Sequence, residues 1–156
     1  MTIAETQPGG PPRRRHWILA ALLEAGWAPV AVFILHAMAS RLFCLYMAYP
    51  PTDIAMHFMG GVAIAFFFRR TGLLASRAGV IGTPNQTGLA ILVFGLTCAA
   101  AVSWECAEFL TDRYLGTNAQ LDVADTVGDM VVGIVGGIAL LAGAALRSRD
   151  RVSGRP

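Results

Sequence analysis

Lysine is absent from this sequence and charge of any kind is scarce: 14% of the 156 residues are charged, against about a quarter in an ordinary soluble domain. All twelve cations are arginines, set against ten acids for a formal net charge of +2. So small an excess excludes a nucleic-acid-sized basic field and a disordered acidic tail, and no nucleic acid is expected as a partner. Cysteine is scarce as well. Cys44, Cys98 and Cys106 show no metal-ligand or redox spacing and read as packing residues. Without lysine and without Ser-Gly-His there is no lipid-phosphatase pattern, and Ser40, Ser76 and Ser103 do not supply the Gly-x-Ser-Gly of rhomboid-type proteases. A phosphate loop and a dinucleotide fingerprint are missing too.

What is present is apolar: 55% of the residues are hydrophobic. A soluble core of this size would leave too few polar residues to cover its surface, whereas a bilayer removes that need. A spanning helix takes about 20 mostly apolar residues, and four stretches qualify. The run from Trp17 to Tyr49 is too long for one span. Pro29 suits the first turn of a helix, so the first span is expected from about Pro29 to Tyr49, with Trp17 to Ala25 forming an interfacial helix before it. A cleaved or twin-arginine signal is the competing reading of this region. Glu24 interrupts its apolar stretch, and no clear small-x-small site precedes Pro29. The second span follows the Pro50-Pro51 break and ends at Arg69-Arg70, the third runs from about Leu89 to Leu110, and the fourth from about Val123 to Leu146. The expected fold is therefore an all-α polytopic bundle of about four transmembrane helices. Residues 1–15 form a disordered basic tail, 16–147 a single membrane domain and 148–156 a second basic tail.

The arginines give an orientation, because cytoplasmic flanks collect positive charge. Arg13, Arg14 and Arg15, then Arg69, Arg70 and Arg77, then Arg147, Arg149, Arg151 and Arg155 occupy every second connection. Both termini are accordingly expected in the cytoplasm, in a multi-pass protein of a bacterial inner membrane. The bilayer is the first partner this implies; the oligomeric state is left open. Asp53, Glu105, Glu108, Asp112, Asp122, Asp125 and Asp129 gather at the opposite, outer ends of the spans. The nearly balanced total charge thus conceals a separation across the membrane.

At about 100° per residue, positions three, four or seven apart share a helix face. Asp53 and His57 share one, Glu105 and Glu108 another, and Asp122, Asp125 and Asp129 a third, with Asp129 at least a turn below the surface. Below them the faces continue as Gly60 and Gly61, as Cys98 and Ala101, and as Gly133, Gly136 and Gly137. Small residues let backbones approach, as in the Gly133-x-x-x-Gly137 spacing. The polar ends should therefore converge in an outward-facing pocket. Ionised groups facing lipid near mid-bilayer would cost roughly 2.5–3.5 kcal/mol each.

Several carboxylates in a partly desolvated pocket require a bound cation or shared protons. Asp53, His57, Glu105 and Asp129 are the candidate catalytic residues, as acids, bases or metal ligands. His57, Glu105, Asp125 and Asp129 are the candidate ligands should the cofactor be a divalent metal, with oxygen donors suiting Mg, Ca or Mn and the histidine admitting Zn or Fe. Arg41, the deep cation of the outer half, is expected with Glu108 and Asp125 to bind substrate, or to pair with Asp129 or Glu105. Simpler roles compete. Asp122 and Asp125 fit an N-cap of the fourth span, Asp112 fits a loop charge, His57 fits a hydrogen-bonded core histidine, and His36 fits a structural position.

The order Asp53-x-x-x-His57, Trp104-Glu105-x-x-Glu108 and Asp125-Thr126-x-x-Asp129-Met130 followed by Gly136 resembles the YjdF-like family of small bacterial membrane proteins. More distantly it looks like VanZ-like proteins, which often carry Asn where Gly133 stands and Gln where Glu108 stands. The likeness spans about Asp53 to Gly137. At one extreme it implies resistance to glycopeptide antibiotics of the teicoplanin type, without implying an established reaction. CDP-alcohol phosphotransferases and prenyltransferases carry comparable aspartates, but the first need a Gly and an Ala-Arg between them and the second a further acidic motif and more spans. Two classes of function remain. One is an enzyme or resistance factor acting on an envelope lipid or lipid-linked substrate; the other is a non-enzymatic cation carrier or membrane assembly partner.

Overall fold

The computed structural model describes residues 16–43 and 45–154. The expectations for the tail at 1–15, for Cys44, for the Arg41 side chain and for Arg155 lie outside the described residues. Six α-helices follow in chain order: α1 (Trp17–Ala25), α2 (Trp27–Ala37), α3 (Leu45–Ala48), α4 (Pro51–Arg77), α5 (Gln86–Leu115) and α6 (Val123–Ser153). A π-helical turn, Met38–Leu42, extends α2. Strands are absent among the described residues.

Helices α4, α5 and α6 are each long and apolar enough to cross a membrane, and α1 with α2 would make a fourth span bent by 46°. This alters the expected first span. The helix from Pro29 to Tyr49 is divided, and α1 packs along α4 beside α2. Proline explains the bend: Pro29 has no N–H to donate to Ala25, and its ring crowds that carbonyl. Glu24 near the end of α1 pairs with Arg70 of α4, whose Nε donates to Glu24 Oε2 at 2.6 Å. At the other end of α6 the helix runs past Leu146 to Ser153, so part of the basic stretch continues it.

The helix ends follow capping chemistry. Asn85 accepts from the Gly88 amide at 2.7 Å at the start of α5, and Asp122 accepts from the Asp125 amide at 2.9 Å at the start of α6. Each satisfies an amide that the first helical turn leaves unpaired. Gly116 closes α5 in the left-handed conformation, φ 68°, which a Cβ would disfavour.

The centre is built from small residues. Ala63, Ala65, Ala75, Gly61 and Gly72 are buried on α4, and Val93 is the fully buried large side chain among the described residues. Ile91, Val131, Val135 and Leu146 are exposed, as befits helices whose outer faces meet lipid. The tightest seam joins α4 and α6, which run in parallel. A Cβ on Gly61 would stand 1.8 Å from the Gly133 carbonyl oxygen, and one on Gly136 would stand 2.1 Å from that of Phe58. Backbone therefore meets backbone here.

Candidate functional site

The seam positions the polar residues. Gly61 lies one turn along α4 from His57, and Gly133 one turn along α6 from Asp129, so the contact of the two glycine positions draws those side chains together. On α5, Ala101 stands one turn from Glu105 and faces Gly133, on which an added Cβ would stand 3.9 Å from that of Ala101. Three helices thus deliver their polar groups to one end of the bundle.

His57 is at the centre. Its Nε2 lies 3.3 Å from Asp53 Oδ1 and 3.6 Å from Asp129 Oδ2, and its Nδ1 lies 3.8 Å from Glu105 Oε1. Glu105 is 5% exposed and Asp129 8%. Asp53, His57 and Asp129 place one ligand atom each within 4.8 Å of one another, as do His57, Glu105 and Glu108. This concentration of negative charge in a largely desolvated volume demands a cation or shared protons.

Two residues outside the expected site, Gln120 and Asp112, complete the surroundings. Gln120, from the loop between α5 and α6, donates through Nε2 to the Glu105 carbonyl at 3.0 Å and to Glu105 Oε2 at 3.2 Å. Asp112 organises that loop: it accepts from the Ala119 amide at 2.8 Å, from the Gln120 amide at 2.9 Å and from the Thr117 hydroxyl. Asp112 therefore does more than carry loop charge, because its contacts hold Gln120 over Glu105. Neither contact has a helical period by which it could be found.

Replacing Asp112 by alanine removes three acceptor contacts from the loop. Hydrogen bonds to charged groups contribute about 1.5–3 kcal/mol each. The Ala119 and Gln120 amides should then exchange with deuterium at least about tenfold faster, since about 1.4 kcal/mol is a factor of ten, while amides in the middle of α5 and α6 keep their protection. Unchanged exchange at both loop amides would contradict the assigned role.

The remaining candidates take distinct places. Glu108 accepts from Trp104 Nε1 at 2.8 Å. The Trp104 ring meets His36 edge-on at 5.2 Å and Phe33 at 6.1 Å, and His36 Nδ1 lies 2.8 Å from the Tyr46 hydroxyl. Asp125 Oδ2 accepts from the Leu121 amide at 3.1 Å, which places it in the cap of α6 and outside both groups of potential ligands.

Beneath the polar cluster lies a cavity of about 380 Å³. Its polar end is formed by His57, Glu105 and Asp129; Val30, Phe33, Ile64 and Ala101 contribute apolar wall. The volume falls within the usual range for small-molecule sites, and apolar walls with a few convergent polar groups are their usual character. Such an arrangement can seat an apolar chain and hold a polar head beside an imidazole and two carboxylates, with Asp53 behind the imidazole.

These features define a membrane-type helical bundle with a polar site at one end. The chain belongs to the family described as predicted membrane protein (DUF2238), which matches residues 11–150. It is also similar to a Thermotoga maritima protein described as "Uncharacterized protein", with 29% identity over 103 residues, covering 65% of this chain and 52% of that protein. The chain thus spans about half the length of that relative. No solved structure matches the chain significantly.

Proposed function

We propose that this membrane protein acts on an envelope lipid or lipid-linked substrate, whose apolar chain occupies the cavity while its polar head meets Asp53, His57, Glu105 and Asp129. The observation that carries the reading is the union of these groups with an apolar cavity between α2 and the three long helices. His57 faces carboxylates through both ring nitrogens, so one nitrogen can take a proton or a metal ion while the other is held by a carboxylate. The chemistry is acid/base, with or without a divalent metal. The arginine distribution supports an outward-facing site in a bacterial inner membrane, with both termini cytoplasmic. The YjdF-like resemblance agrees with the family, and the more distant VanZ-like resemblance favours an envelope role.

The alternative is a cation carrier or an assembly partner. The acidic cluster favours cation binding, but the described cavity wall below it is mostly apolar, with His36 and Thr97 its polar members away from the cluster. The test compares envelope lipid profiles and cation uptake in a deletion strain carrying wild type or Asp129→Asn. A lipid pool restored by wild type and not by the variant is expected. Unchanged lipid pools with altered uptake would replace this reading by the carrier.

A further inference from the structure

We propose that Asp53, His57 and Asp129 bind one divalent transition-metal ion, with Glu105 orienting the imidazole from outside the coordination sphere. The inference rests on the reading of this cluster as the working site, and it assigns a distinct role to each residue.

Distance is the first observation. His57 Nε2 lies 3.3 Å from Asp53 Oδ1 and 3.6 Å from Asp129 Oδ2. Both separations exceed the usual 2.7–3.2 Å or so of an N–H···O hydrogen bond. They equal the edges of a coordination tetrahedron: bonds of about 2.0–2.2 Å from zinc to nitrogen and oxygen set neighbouring ligands roughly 3.3–3.6 Å apart. All three ligand atoms fall within 4.8 Å of one another. Asp53 and His57 come from successive turns of α4 and Asp129 from α6, so the site spans the seam held by Gly61 and Gly133.

The second observation is independent of the cluster's charge. Glu105 is 5% exposed, and its Oε1, buried and without a hydrogen-bond donor, faces His57 Nδ1 at 3.8 Å. When Nε2 gives its lone pair to a metal, the imidazole proton resides on Nδ1, where it faces that oxygen. Metal-binding histidines commonly have such a carboxylate behind them. Gln120 holds the other carboxylate oxygen of Glu105 at 3.2 Å, which keeps Oε1 turned toward the ring.

Two alternative ligands are less suited. Glu108 is engaged by Trp104 Nε1 at 2.8 Å, and Asp125 by the Leu121 amide at 3.1 Å. One nitrogen and two carboxylate oxygens leave at least one coordination position for water or a substrate oxygen. That donor set suits Zn or Mn, which tolerate mixed nitrogen and oxygen ligands.

The experiment uses full-length protein purified in detergent, stripped with chelator and titrated separately with Zn(II) and Mn(II). Bound metal is read by elemental analysis, Mn coordination by electron paramagnetic resonance, and folding by circular dichroism. Wild type and Glu108→Gln should bind about one equivalent of at least one of the two metals. With helicity retained, Asp53→Asn and Asp129→Asn should lose the bound metal, and Glu105→Gln should weaken its affinity about 10–100-fold, the range for loss of an outer partner. Failure of wild type to bind either metal, or full binding by Asp129→Asn, would overturn the site. Envelope lipid pools distinguish the two proposals: absent metal with altered pools overturns the metal site alone. Bound metal with unaltered pools supports the site and overturns the lipid reading.

Discussion

Substitution of Gly61 by alanine should disrupt the α4–α6 seam, while the same substitution at Gly133 should be tolerated. The added Cβ at Gly61 would stand 1.8 Å from the Gly133 carbonyl oxygen and 2.7 Å from its carbon. No rotamer change relieves that contact, because both sides are fixed by helical backbone. The helices must separate by more than an ångström, which also parts His57 from Asp129 one turn away. Overpacking typically costs about 1–3 kcal/mol and sometimes more; a backbone obstruction belongs at the upper end. At about 2–4 °C per kcal/mol for a chain of this size, thermal unfolding in detergent should fall by roughly 10 °C. A Cβ on Gly133 instead meets its nearest neighbour, the His57 carbonyl oxygen, at 3.6 Å. Equal melting temperatures for the two variants would contradict the seam.

Asp129→Asn should abolish complementation of an envelope-lipid phenotype, whereas Asp125→Asn should retain most of it. The two acids are one helical turn apart and share a face, so sequence pattern treats them alike. Their surroundings differ. Asp129 is 8% exposed and approaches His57 Nε2 at 3.6 Å. Asp125 is half-buried and accepts from the Leu121 amide, a contact an Asn oxygen can also make. Removing an essential acid/base group costs typically about 10²–10⁴-fold in rate, enough to eliminate turnover detectable in a lipid profile. Protein levels measured in the same membranes separate lost chemistry from lost protein. Equal complementation by both variants would contradict a working role for Asp129.

Apolar length made the three long helices legible in the sequence, and the 3.6-residue period made the acidic faces legible. The first span was less so. From Trp17 to Tyr49 hydrophobicity is nearly continuous, and it does not register how Pro29 redirects α2 so that α1 joins α4. Gly133-x-x-x-Gly137 correctly marks a close-packing face on α6. Yet the severest obstructions are at Gly61 and Gly136, because clearance depends on which carbonyl lies opposite. Periodicity likewise finds Glu105 but not Gln120, whose approach is set by a loop that folds around Asp112. Trp104, which stands in the sequence as the neighbour of Glu105, gives its indole N–H to Glu108 and its ring to His36 and Phe33.

The central claim is that the apolar cavity and the carboxylate–histidine cluster serve one lipid-like ligand. The most direct measurement places a photo-crosslinking amino acid at Ile64, in the cavity wall, and in a separate variant at Val131, 53% exposed on α6. Adducts are identified by mass spectrometry after irradiation in native membranes. The account predicts that one lipid class is enriched at Ile64 over its share at Val131, and that Asp129→Asn removes the enrichment. Adduct profiles at both positions that match bulk membrane lipid, with or without Asp129→Asn, would contradict it.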